Sequence, residues 1–386
     1  MNIDLYFSEE HKMLKQMVKE FAEKELKPKA QEMDESGLFP YESIKKMAEL
    51  GLMGIPWEEK YGGTGMDTLA LVIAIEEVGK VCCSTAATMM AHTSLGTAPI
   101  AVFGTIEQKK NFLPDLASGK KIGAFGLTEP NAGSDAGNTK TKAIEDGDFF
   151  IVNGEKSFCT NAGVASVLIF TAMIIKDGKE KGISAFVIES DTDGISYSAP
   201  EKKMGWCASD TRSIYFHEVR IHKSSILGDP KKGFKQFLRT LTSGRITIGA
   251  LSLGTAQGAY NKALNYTYER EAFGKSINKF QGISFKLADM ATEIEASRHL
   301  VYHAAILKDK NFSVIKEASM AKLFSSETAM RVTTEAIQIF GGYGYIKEYD
   351  VERFFRDAKI LEIGEGTSEI QRIIISREIL NSINRV

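Results

Sequence analysis

Cysteine and histidine are both scarce in this 386-residue chain. The four cysteines are Cys82, Cys83, Cys159 and Cys207, and no two of them form a CxxC pair. Neighbours such as Cys82 and Cys83 cannot bridge to each other without strain, and this sparse usage is typical of a reducing compartment. The six histidines include no HExxH motif, and no carboxylate or cysteine motif completes a set with His299 and His303. The sequence therefore predicts no metal site.

Long apolar runs and a charge excess are also missing. No stretch approaches the ~18 consecutive apolar residues of a transmembrane helix. The first residues, MNIDLYFSEEHKM, have neither the apolar core of a signal peptide nor the Arg- and Ser-rich character of a transit peptide. The 48 basic and 50 acidic residues nearly cancel, which gives no electrostatic reason to expect nucleic acid or an anionic membrane as partner. We expect a cytoplasmic protein, or a mitochondrial matrix protein if a transit peptide has been removed.

The composition and apolar periodicity of the sequence divide the chain into three parts, 1–117, 118–231 and 232–386. In the first part, an apolar stripe at helical spacing runs from Met13 to Phe21. It follows Ser8, a typical N-cap residue, and ends near Pro28. Pro40 opens a second helical pattern, and Gly51 lies just beyond its end. These features predict an N-terminal helical domain.

The second part is rich in β-branched and aromatic residues. Asp-Gly and Asn-Gly pairs, which tolerate the positive φ of tight turns, lie among the apolar runs. No alternation of strand and helix is visible, which argues against a parallel nucleotide-binding sheet. We therefore predict a middle antiparallel β-domain, a sheet or a barrel. The predicted strands are Ile122–Leu127, Phe149–Val152, Val167–Ile174, Ile183–Ile188 and Arg212–Ile221. The predicted turns are Asp146-Gly147, Asn153-Gly154, Asp177-Gly178 and Asp193-Gly194.

Helical periodicity returns after Gly233 and continues to the C-terminus. The segments Phe285–Leu307 and Ile315–Phe340 are each long enough for a helix of a bundle. The fold class predicted from the three parts is a multidomain α+β protein, with helical domains on either side of the β-domain.

One candidate catalytic residue, Glu365, lies between Gly364 and Gly366 near the C-terminus. Ser368 and Gln371 form a capping-box pattern, which predicts that a helix begins directly after this glutamate. The preceding residues 360–363 are mostly apolar. A carboxylate in apolar surroundings has a raised pKa, which makes it a better base towards a carbon acid. A solvated loop glutamate is the alternative interpretation.

Three further runs have the composition of ligand-binding loops. The run from Leu127 to Asp135 follows a predicted strand and places hydroxyls and amides on a turn, which suits a phosphate or the edge of a flavin ring. In the run 269–275, Arg270 can pair with a pyrophosphate. In the run 338–345, the Gly341-Gly342 step ends a helix and can pass close to a cofactor, although it is not a GxGxxG motif. These runs can equally be an ordinary turn, a surface ion pair and a glycine C-cap.

Together, and in this order and spacing, the four runs resemble the acyl-CoA dehydrogenase family. The likeness covers essentially the whole chain and includes Ser209–Arg212, the region of Arg245, and Arg356–Ala358. The resemblance implies an N-terminal helical domain, a middle β-domain and a C-terminal four-helix bundle. It also implies a homotetramer, built as a dimer of dimers, with FAD bound non-covalently across a subunit interface.

Motif by motif, the resemblance assigns two sets of residues to the flavin. Phe158 stands where many members of the family have Trp, so that a smaller ring is retained. From the same subunit, the residues implied are Leu127, Thr128, Ser134, Phe158, Thr160 and Thr367. From the adjoining subunit, they are Arg270, Phe273, Gln338 and Gly342.

The resemblance further implies that Glu365 removes the pro-R α-proton of an acyl-CoA thioester while the β-hydrogen leaves as hydride to flavin N5. The backbone N–H of the glutamate would polarise the thioester carbonyl, with Gly364 and Gly366 beside it. Ser134 and Arg245 would lie along the path of CoA. Some relatives carry the base on the helix near position 244, which is glycine here, and this favours Glu365.

The implied substrate is a short acyl-CoA. The stretches Ile315–Lys322 and Thr93–Gly96 look most like those of butyryl-CoA-type members. Many relatives have Tyr where this chain has Gly364, and the space this leaves keeps a branched or cyclic acyl group as an alternative. The family acceptor is electron-transferring flavoprotein. The sequence also leaves open an acyl-CoA oxidase, an enzyme working in the reductase direction, a DNA-associated relative of the fold and a purely structural helical protein.

Overall fold

The computed structural model describes residues 7–230 and 232–383. The first part of the chain is helical. Ser8 caps the first helix, as predicted, and its hydroxyl accepts a hydrogen bond from the backbone N–H of His11 at 3.2 Å. Two π-helical turns, Ala22–Leu26 and Ala91–Thr97, interrupt the α-helical run. The α-helices are α1 (Glu9–Phe21), α2 (Ala30–Ser36), α3 (Tyr41–Glu49), α4 (Thr68–Gly79), α5 (Cys83–Met90), α6 (Ala98–Phe103) and α7 (Ile106–Ala117).

The middle part folds into a seven-stranded sheet. Its order is β1-β4-β2-β3-β7-β6, with β5 on the other edge of β4. Its strands are β1 (Gly123–Gly126), β2 (Lys142–Asp146), β3 (Phe149–Thr160), β4 (Val167–Lys176), β5 (Lys179–Glu189), β6 (Ile195–Tyr197) and β7 (Thr211–His222).

Most pairings in this sheet are antiparallel, as predicted, but β1 and β2 both run parallel to β4. β1 pairs with the start of β4 and β2 with its later part, so they follow one another along a single edge. The sheet is therefore mixed. The loop 127–141, which joins β1 to β2, leaves this edge and returns to it.

Two of the predicted turns form the hairpins β2–β3 and β4–β5, with positive φ at Gly147 and at Asp177 and Gly178. The turn predicted at Asn153-Gly154 is wrong, because both residues lie inside β3. Gly154 marks a register shift there, and a Cβ on it would collide with Thr141. The glycine is needed for close approach within the sheet and not for a reversal of the chain.

The last part is helical again. Its helices are α8 (Gly233–Glu269), α9 (Gln281–Asp309), α10 (Ile315–Phe340), α11 (Val351–Lys359) and α12 (Ser368–Ile383), with a short hairpin of β8 (Glu271–Ala272) and β9 (Lys275–Ser276). The predicted bounds of α10 are confirmed, and α9 extends the predicted helix at both ends. α8 packs against α4, α9 and α10, so the two helical parts share a core. The predicted fold class is confirmed, and the domain boundaries stay a prediction.

Arg356 on α11 ties the three parts together. Its guanidinium donates to Asp34 on α2 at 2.6 Å and to the backbone carbonyl of Met204 at 3.1 Å. The neighbouring Asp357 is fully buried and accepts a hydrogen bond from the backbone N–H of Trp206 at 2.6 Å. These contacts fix the middle part against both helical parts. None of the helices in the described part of the chain combines the length and apolarity needed to cross a membrane.

A second buried network joins α4 to α9. The Glu76 carboxylate accepts hydrogen bonds from Tyr302 at 2.6 Å and from Arg298 at 3.1 Å, and it lies 3.1 Å from the Lys80 ammonium. Burial raises the pKa of Glu76, but Lys80, Arg298 and the Tyr302 hydroxyl together lower it to about 2. Since the folded-state pKa is lowered, the stabilisation is present at neutral pH and is lost as the pH falls from about 4.5 towards 2.

We expect Glu76→Gln to destabilise the protein at pH 7 by about 3 kcal/mol, because it removes the buried carboxylate that Lys80 and Arg298 share and leaves each cation with one remaining carboxylate partner. Unfolding by denaturant, followed at several pH values, measures the effect. The difference in free energy of unfolding between the variant and the unchanged protein should become smaller below about pH 4.5. Glu58→Gln, which removes an exposed pair with Lys60, is the control and should cost less than about 1 kcal/mol. Equal losses from the two variants would contradict the prediction.

Candidate active site

Glu365 lies in the turn between α11 and α12 with a backbone conformation that is rare for a residue with a side chain. Its φ is 53° and that of Gly366 is 96°. The side-chain amide of Gln371 donates to the carbonyl of Gly366 at 2.8 Å and to that of Glu365 at 3.4 Å. The start of α12 therefore holds this turn in its left-handed form.

The cap of α12 differs from the predicted one. Thr367 is the capping residue, and its hydroxyl accepts from the backbone N–H of Ile370 at 3.3 Å. Ser368, the predicted cap, is instead the first residue of the helix, and its hydroxyl is buried without a hydrogen-bond partner among the described residues. The helix does begin directly after the Glu365 turn, but the predicted capping box at Ser368 is wrong because Gln371 bonds the turn carbonyls.

The carboxylate of Glu365 has unusual surroundings. The residue as a whole is partly exposed, yet both carboxylate oxygens are buried, and neither has a hydrogen-bond partner among the described residues. Burial raises the pKa of Glu365 to about 7, although the nearby charges of Arg245 and Lys322 oppose the shift. A carboxylate with this pKa is well matched to general-base work near neutral pH.

The same carboxylate lies against the bare backbone of α8 at Gly244. A Cβ on Gly244 would overlap a carboxylate oxygen of Glu365. The Gly244 carbonyl accepts a hydrogen bond from the hydroxyl of Thr247 at 2.9 Å, and that hydroxyl lies 3.2 Å from Ser94 in the π-helical turn. The segment Thr93–Gly96 is thereby linked to α8 beside the carboxylate.

We expect Gly244→Ala to lower kcat by about 100-fold, because the added methyl displaces the carboxylate, and a misplacement of about 1 Å has effects of this size. Steady-state kinetics with the acyl-CoA substrate that the family resemblance implies measures the loss. Gly249→Ala, farther along the same helix, is the control, since its methyl would meet the Val301 side chain at 3.0 Å and the Ala321 backbone at 3.7 Å, and not Glu365. A kcat for Gly244→Ala equal to that of the control would show that the contact is unimportant.

Two buried cations flank Glu365. Arg245 is buried, and its Nε has no hydrogen-bond partner among the described residues. Burial lowers the pKa of Arg245, and Glu365 counteracts this. Lys322 is fully buried on α10 and donates to the carbonyl of Gly366 at 2.8 Å. Sequence reasoning missed Lys322 as a site residue. A lysine among Ala318, Ser319, Ala321 and Ser325 on a predicted bundle helix was the available signal.

The loop 127–141 and strand β3 bring several of the predicted flavin residues together. Leu127, Thr128 and Thr160 are half-buried, and Ser134 is exposed. The Thr128 carbonyl accepts from the backbone N–H of Ser157 at 2.8 Å, next to Phe158. Phe158 is 68% exposed and has a φ of 55°. The ring thus stands open to solvent beside the loop.

A buried ion pair holds this loop on the sheet. Lys156 and Glu129 are both buried, with 2.6 Å between the ammonium and a carboxylate oxygen. The ammonium also donates to the carbonyl of Leu127 at 3.3 Å and to Thr171 at 3.1 Å. The carboxylate accepts from the backbone N–H of Lys140 at 2.6 Å. One pair therefore fixes both ends of the loop.

The remaining predicted flavin residues lie around a groove of about 570 Å³ at the ends of α8, α9 and α10. Arg270, Phe273 and Gly342 line it, and Gln338 lies exposed on the last turn of α10. Phe273 is 95% exposed with a φ of 51°. No residue of the middle β-sheet lines this groove among those described. Within one chain, the groove and the loop 127–141 are separate surfaces.

Among the residues that the structure describes, no group of three or more His, Cys, Asp or Glu side chains is placed to hold a metal. The described cysteines are all free thiols.

Sequence models of the three acyl-CoA dehydrogenase domains match this chain in order. The N-terminal domain matches residues 8–120, the middle domain 124–219 and the C-terminal domain 231–380. The chain belongs to the acyl-CoA dehydrogenase family. It is therefore an oxidoreductase that dehydrogenates acyl-CoA, and a purely structural role is excluded.

Individual relatives are similar over nearly the full length. The short-chain specific acyl-CoA dehydrogenase of Clostridium acetobutylicum is 48% identical over 98% of this chain and 100% of its own. The butyryl-CoA dehydrogenase structure from Megasphaera elsdenii has a TM-score of 0.94 at 44% identity, covering 97% of this chain and 99% of that one. A structure described as electron transferring flavoprotein of Acidaminococcus fermentans contains a chain with a TM-score of 0.95 at 45% identity. The match covers 98% of this chain and 100% of that one.

FAD is the cofactor of this enzyme. The acyl-CoA dehydrogenase of Bacillus anthracis, solved as a complex with FAD, has a TM-score of 0.92 at 34% identity and covers 98% of this chain and 68% of that one. The loop 127–141 fits such a ligand. The Phe158 ring is uncovered, and a Cβ on Gly133 would meet nothing within 4 Å, so a planar ring system has room to lie there.

Proposed function

We propose that the enzyme converts a short-chain acyl-CoA to the trans-2-enoyl-CoA with Glu365 as the catalytic base. The observation that carries the proposal is the buried, unpartnered carboxylate of Glu365, whose pKa is raised to about 7. A carboxylate with no hydrogen bond to lose is free to take a proton from a carbon acid. Burial of its oxygens also keeps water from competing for that proton.

In this proposal the chain's own residues bind and orient the thioester. Glu365 takes the α-proton onto a carboxylate oxygen. Its backbone N–H, between Gly364 and Gly366, donates to the thioester carbonyl, where negative charge develops. Bound FAD supplies the acceptor for the hydride that leaves the β-carbon. Arg245 and Ser134 would lie along the path of CoA. The flavin would be held by Thr128, Ser134 and Thr160 and flanked by Leu127, Phe158 and Thr367.

Two observations support a short acyl chain. The π-helical turn Ala91–Thr97 packs closely on the sheet, where a Cβ on Gly96 would lie 2.5 Å from backbone atoms of Gly123. The same turn reaches α8 beside Glu365 through Ser94 and Thr247. We infer that this close packing beside Glu365 limits the length of the acyl chain. The relative from Clostridium acetobutylicum and the structure from Megasphaera elsdenii carry short-chain and butyryl-CoA names.

Dehydrogenation of a branched or cyclic acyl-CoA is the second candidate, and Gly364 favours it. A Cβ at this position would meet only the Ile360 carbonyl, at 3.4 Å. The position next to the base is therefore open on the side-chain side, and a wider acyl group has space there.

Anaerobic titration of the FAD-loaded enzyme with acyl-CoAs tests both candidates through the loss of flavin absorbance. Butyryl-CoA should bleach the flavin faster than octanoyl-CoA and at least as fast as isobutyryl-CoA or a ring-bearing thioester. Faster reduction by the branched or cyclic substrates would favour the second candidate. An FAD-loaded enzyme that is not bleached by any acyl-CoA would overturn the proposal.

We further propose that the enzyme is a homotetramer in which Arg270, Phe273, Gln338 and Gly342 reach the flavin of the adjoining subunit. Support comes from the groove at the ends of α8, α9 and α10, whose apolar lining includes the almost fully exposed Phe273. An exposed apolar groove of this kind is typical of a contact surface. Sedimentation velocity of the FAD-loaded protein measures the assembly, and a monomer would contradict the proposal.

Electron-transferring flavoprotein is the proposed electron acceptor. The structure described by that name contains a chain with this fold. An oxidase would instead reoxidise in air within seconds while product is bound, so the rate of aerobic reoxidation separates the two. A cytoplasmic location stays a proposal.

A further inference from the structure

Lys322 is a buried cation without a paired anion. It is fully buried in the middle of α10, and its ammonium donates to the carbonyl of Gly366 at 2.8 Å. Among the described residues, no carboxylate oxygen lies within ion-pair distance of this ammonium. Burying a charge that is not paired is unfavourable, so such a residue needs a reason to be there.

The charged groups that face Lys322 come from each element packed around it. Glu365 faces it from the turn, Arg245 from α8, Glu362 from the segment before the turn, and Glu369 from the first turn of α12. Glu365 in turn faces two cations, Lys322 and Arg245. The carboxylate therefore lies in a positive local field, without touching either cation.

We propose that Lys322 is a positioning residue for proton abstraction, which holds the turn that carries Glu365 and whose positive charge favours the ionised form of Glu365 that can accept a proton. This inference rests on the proposed role of Glu365 as the base.

Lys322 helps to hold the turn that carries Glu365 in an unfavourable backbone conformation. Glu365 and Gly366 both have positive φ, a conformation that persists only where the surroundings enforce it. Lys322 and Gln371 donate to the same Gly366 carbonyl, each at 2.8 Å, from two different helices. This pair of donors holds the Gly366–Thr367 peptide, one residue beyond the base.

The electrostatic part follows from the sign of the charges. Burial favours the protonated carboxyl of Glu365, and a protonated carboxyl cannot act as a base. The ammonium of Lys322 favours the ionised form and so lowers the pKa of Glu365 from the value that burial alone would give. Removing that charge should raise the pKa of Glu365, and activity should then require a higher pH.

The test compares the pH dependence of kcat/KM for butyryl-CoA in the FAD-loaded enzyme and three variants. Lys322→Met removes the charge and the hydrogen bond, Lys322→Gln keeps an amide donor without charge, and Lys322→Arg keeps the charge. We expect Lys322→Met and Lys322→Gln to move the acidic limb of the profile to higher pH by about 1 unit, so that kcat/KM at pH 6 falls about tenfold further than at pH 9. Lys322→Arg should leave the limb in place.

A purely structural role predicts a different result. If Lys322 only packs the bundle, Lys322→Met and Lys322→Gln each lower kcat/KM by the same factor at every pH, and the acidic limb does not move. That outcome overturns the proposal. Lys308→Met is the matched control, because Lys308 on α9 also has its pKa lowered by burial but is not among the charges that act on Glu365. The acidic limb of the Lys308→Met profile should coincide with that of the unchanged enzyme.

A second measurement does not depend on oxidation of the substrate. Exchange of the C2 hydrogens of butyryl-CoA with deuterium from solvent reports the base alone, and its pH dependence should shift in the same way. The Glu365→Gln variant distinguishes a failure of the proposed function from a failure of the proposed role of Lys322. If Glu365→Gln still exchanges C2 hydrogens, the proposed function fails. If Glu365→Gln does not exchange C2 hydrogens but Lys322→Gln leaves the acidic limb of the pH profile in place, only the proposed role of Lys322 fails.

Discussion

Glu365→Gln should lower the rate of flavin reduction by a short acyl-CoA by about 10⁴-fold, the upper range for loss of a general base. Glutamine has nearly the same shape, but its amide cannot accept the α-proton. Because neither carboxylate oxygen of Glu365 has a hydrogen-bond partner among the described residues, the substitution breaks no structural hydrogen bond there. Anaerobic stopped-flow mixing with butyryl-CoA measures the rate, and calorimetric titration measures binding, which should persist.

Glu327→Gln is the matched control for this variant. Glu327 is a half-buried residue of α10 that pairs with Arg372 at 2.6 Å, and its replacement should change the rate less than about twofold. A Glu365→Gln enzyme that retains a tenth or more of the normal rate would show that the base lies elsewhere.

The second large effect is expected for Lys156→Met, which leaves Glu129 buried without its cation. Burial raises the pKa of Glu129, while Lys156 and the backbone N–H of Lys140 bring it below its usual value. Removing one partner of a buried pair costs about 3–5 kcal/mol. The loop 127–141 also loses the bonds that Leu127 and Glu129 make to the Lys156 ammonium, so FAD should dissociate more readily. Denaturant unfolding and the FAD content after gel filtration measure the two effects.

The double variant Lys156→Met/Glu129→Gln distinguishes charge from packing. It carries no unpaired charge, so it should regain part of the stability that the single variant loses. Lys46→Met, which removes the half-exposed pair with Glu25, should cost less than about 1 kcal/mol. If Lys156→Met costs no more than Lys46→Met, the buried pair does not hold the loop.

Much of the architecture could be predicted from the sequence because it depends on local patterns. The period of apolar residues in Ile315–Phe340 sets a helix of the same bounds, and Ser8 acts as the cap that its chemistry favours. Strands β2 and β6 were not predicted. β2 contains only two apolar residues and β6 is three residues long, so neither shows an alternating pattern.

Errors in the predicted sheet came from interactions across the chain. Asn153-Gly154 has the composition of a turn, but in the structure Gly154 allows β3 to pass Thr141. The parallel pairing of β1 and β2 with β4 depends on where the loop 127–141 leaves and rejoins the sheet. Composition does not encode that path.

The candidate site also combines features that local sequence predicts with features that depend on long-range packing. Flanking glycines and the following helix point to Glu365 from the local sequence. Its contact with Gly244 and the cations that surround it come from α8 and α10, which are distant in sequence. The sequence offered one signal for Lys322, a lysine among small residues, but its place beside Glu365 follows from the packing of the helices. The same holds for the groove around Phe273, since its exposure cannot be read from the sequence.

The pH dependence of kcat/KM for butyryl-CoA in the unchanged enzyme tests the role of Glu365 most directly, because it reports the pKa of the essential base in the free enzyme. With Glu365 as that base, kcat/KM rises with pH along a single limb whose midpoint lies near 7. A limb at the ordinary carboxylate value of 4.5, or a rate that does not change between about pH 5 and pH 9, would contradict the account.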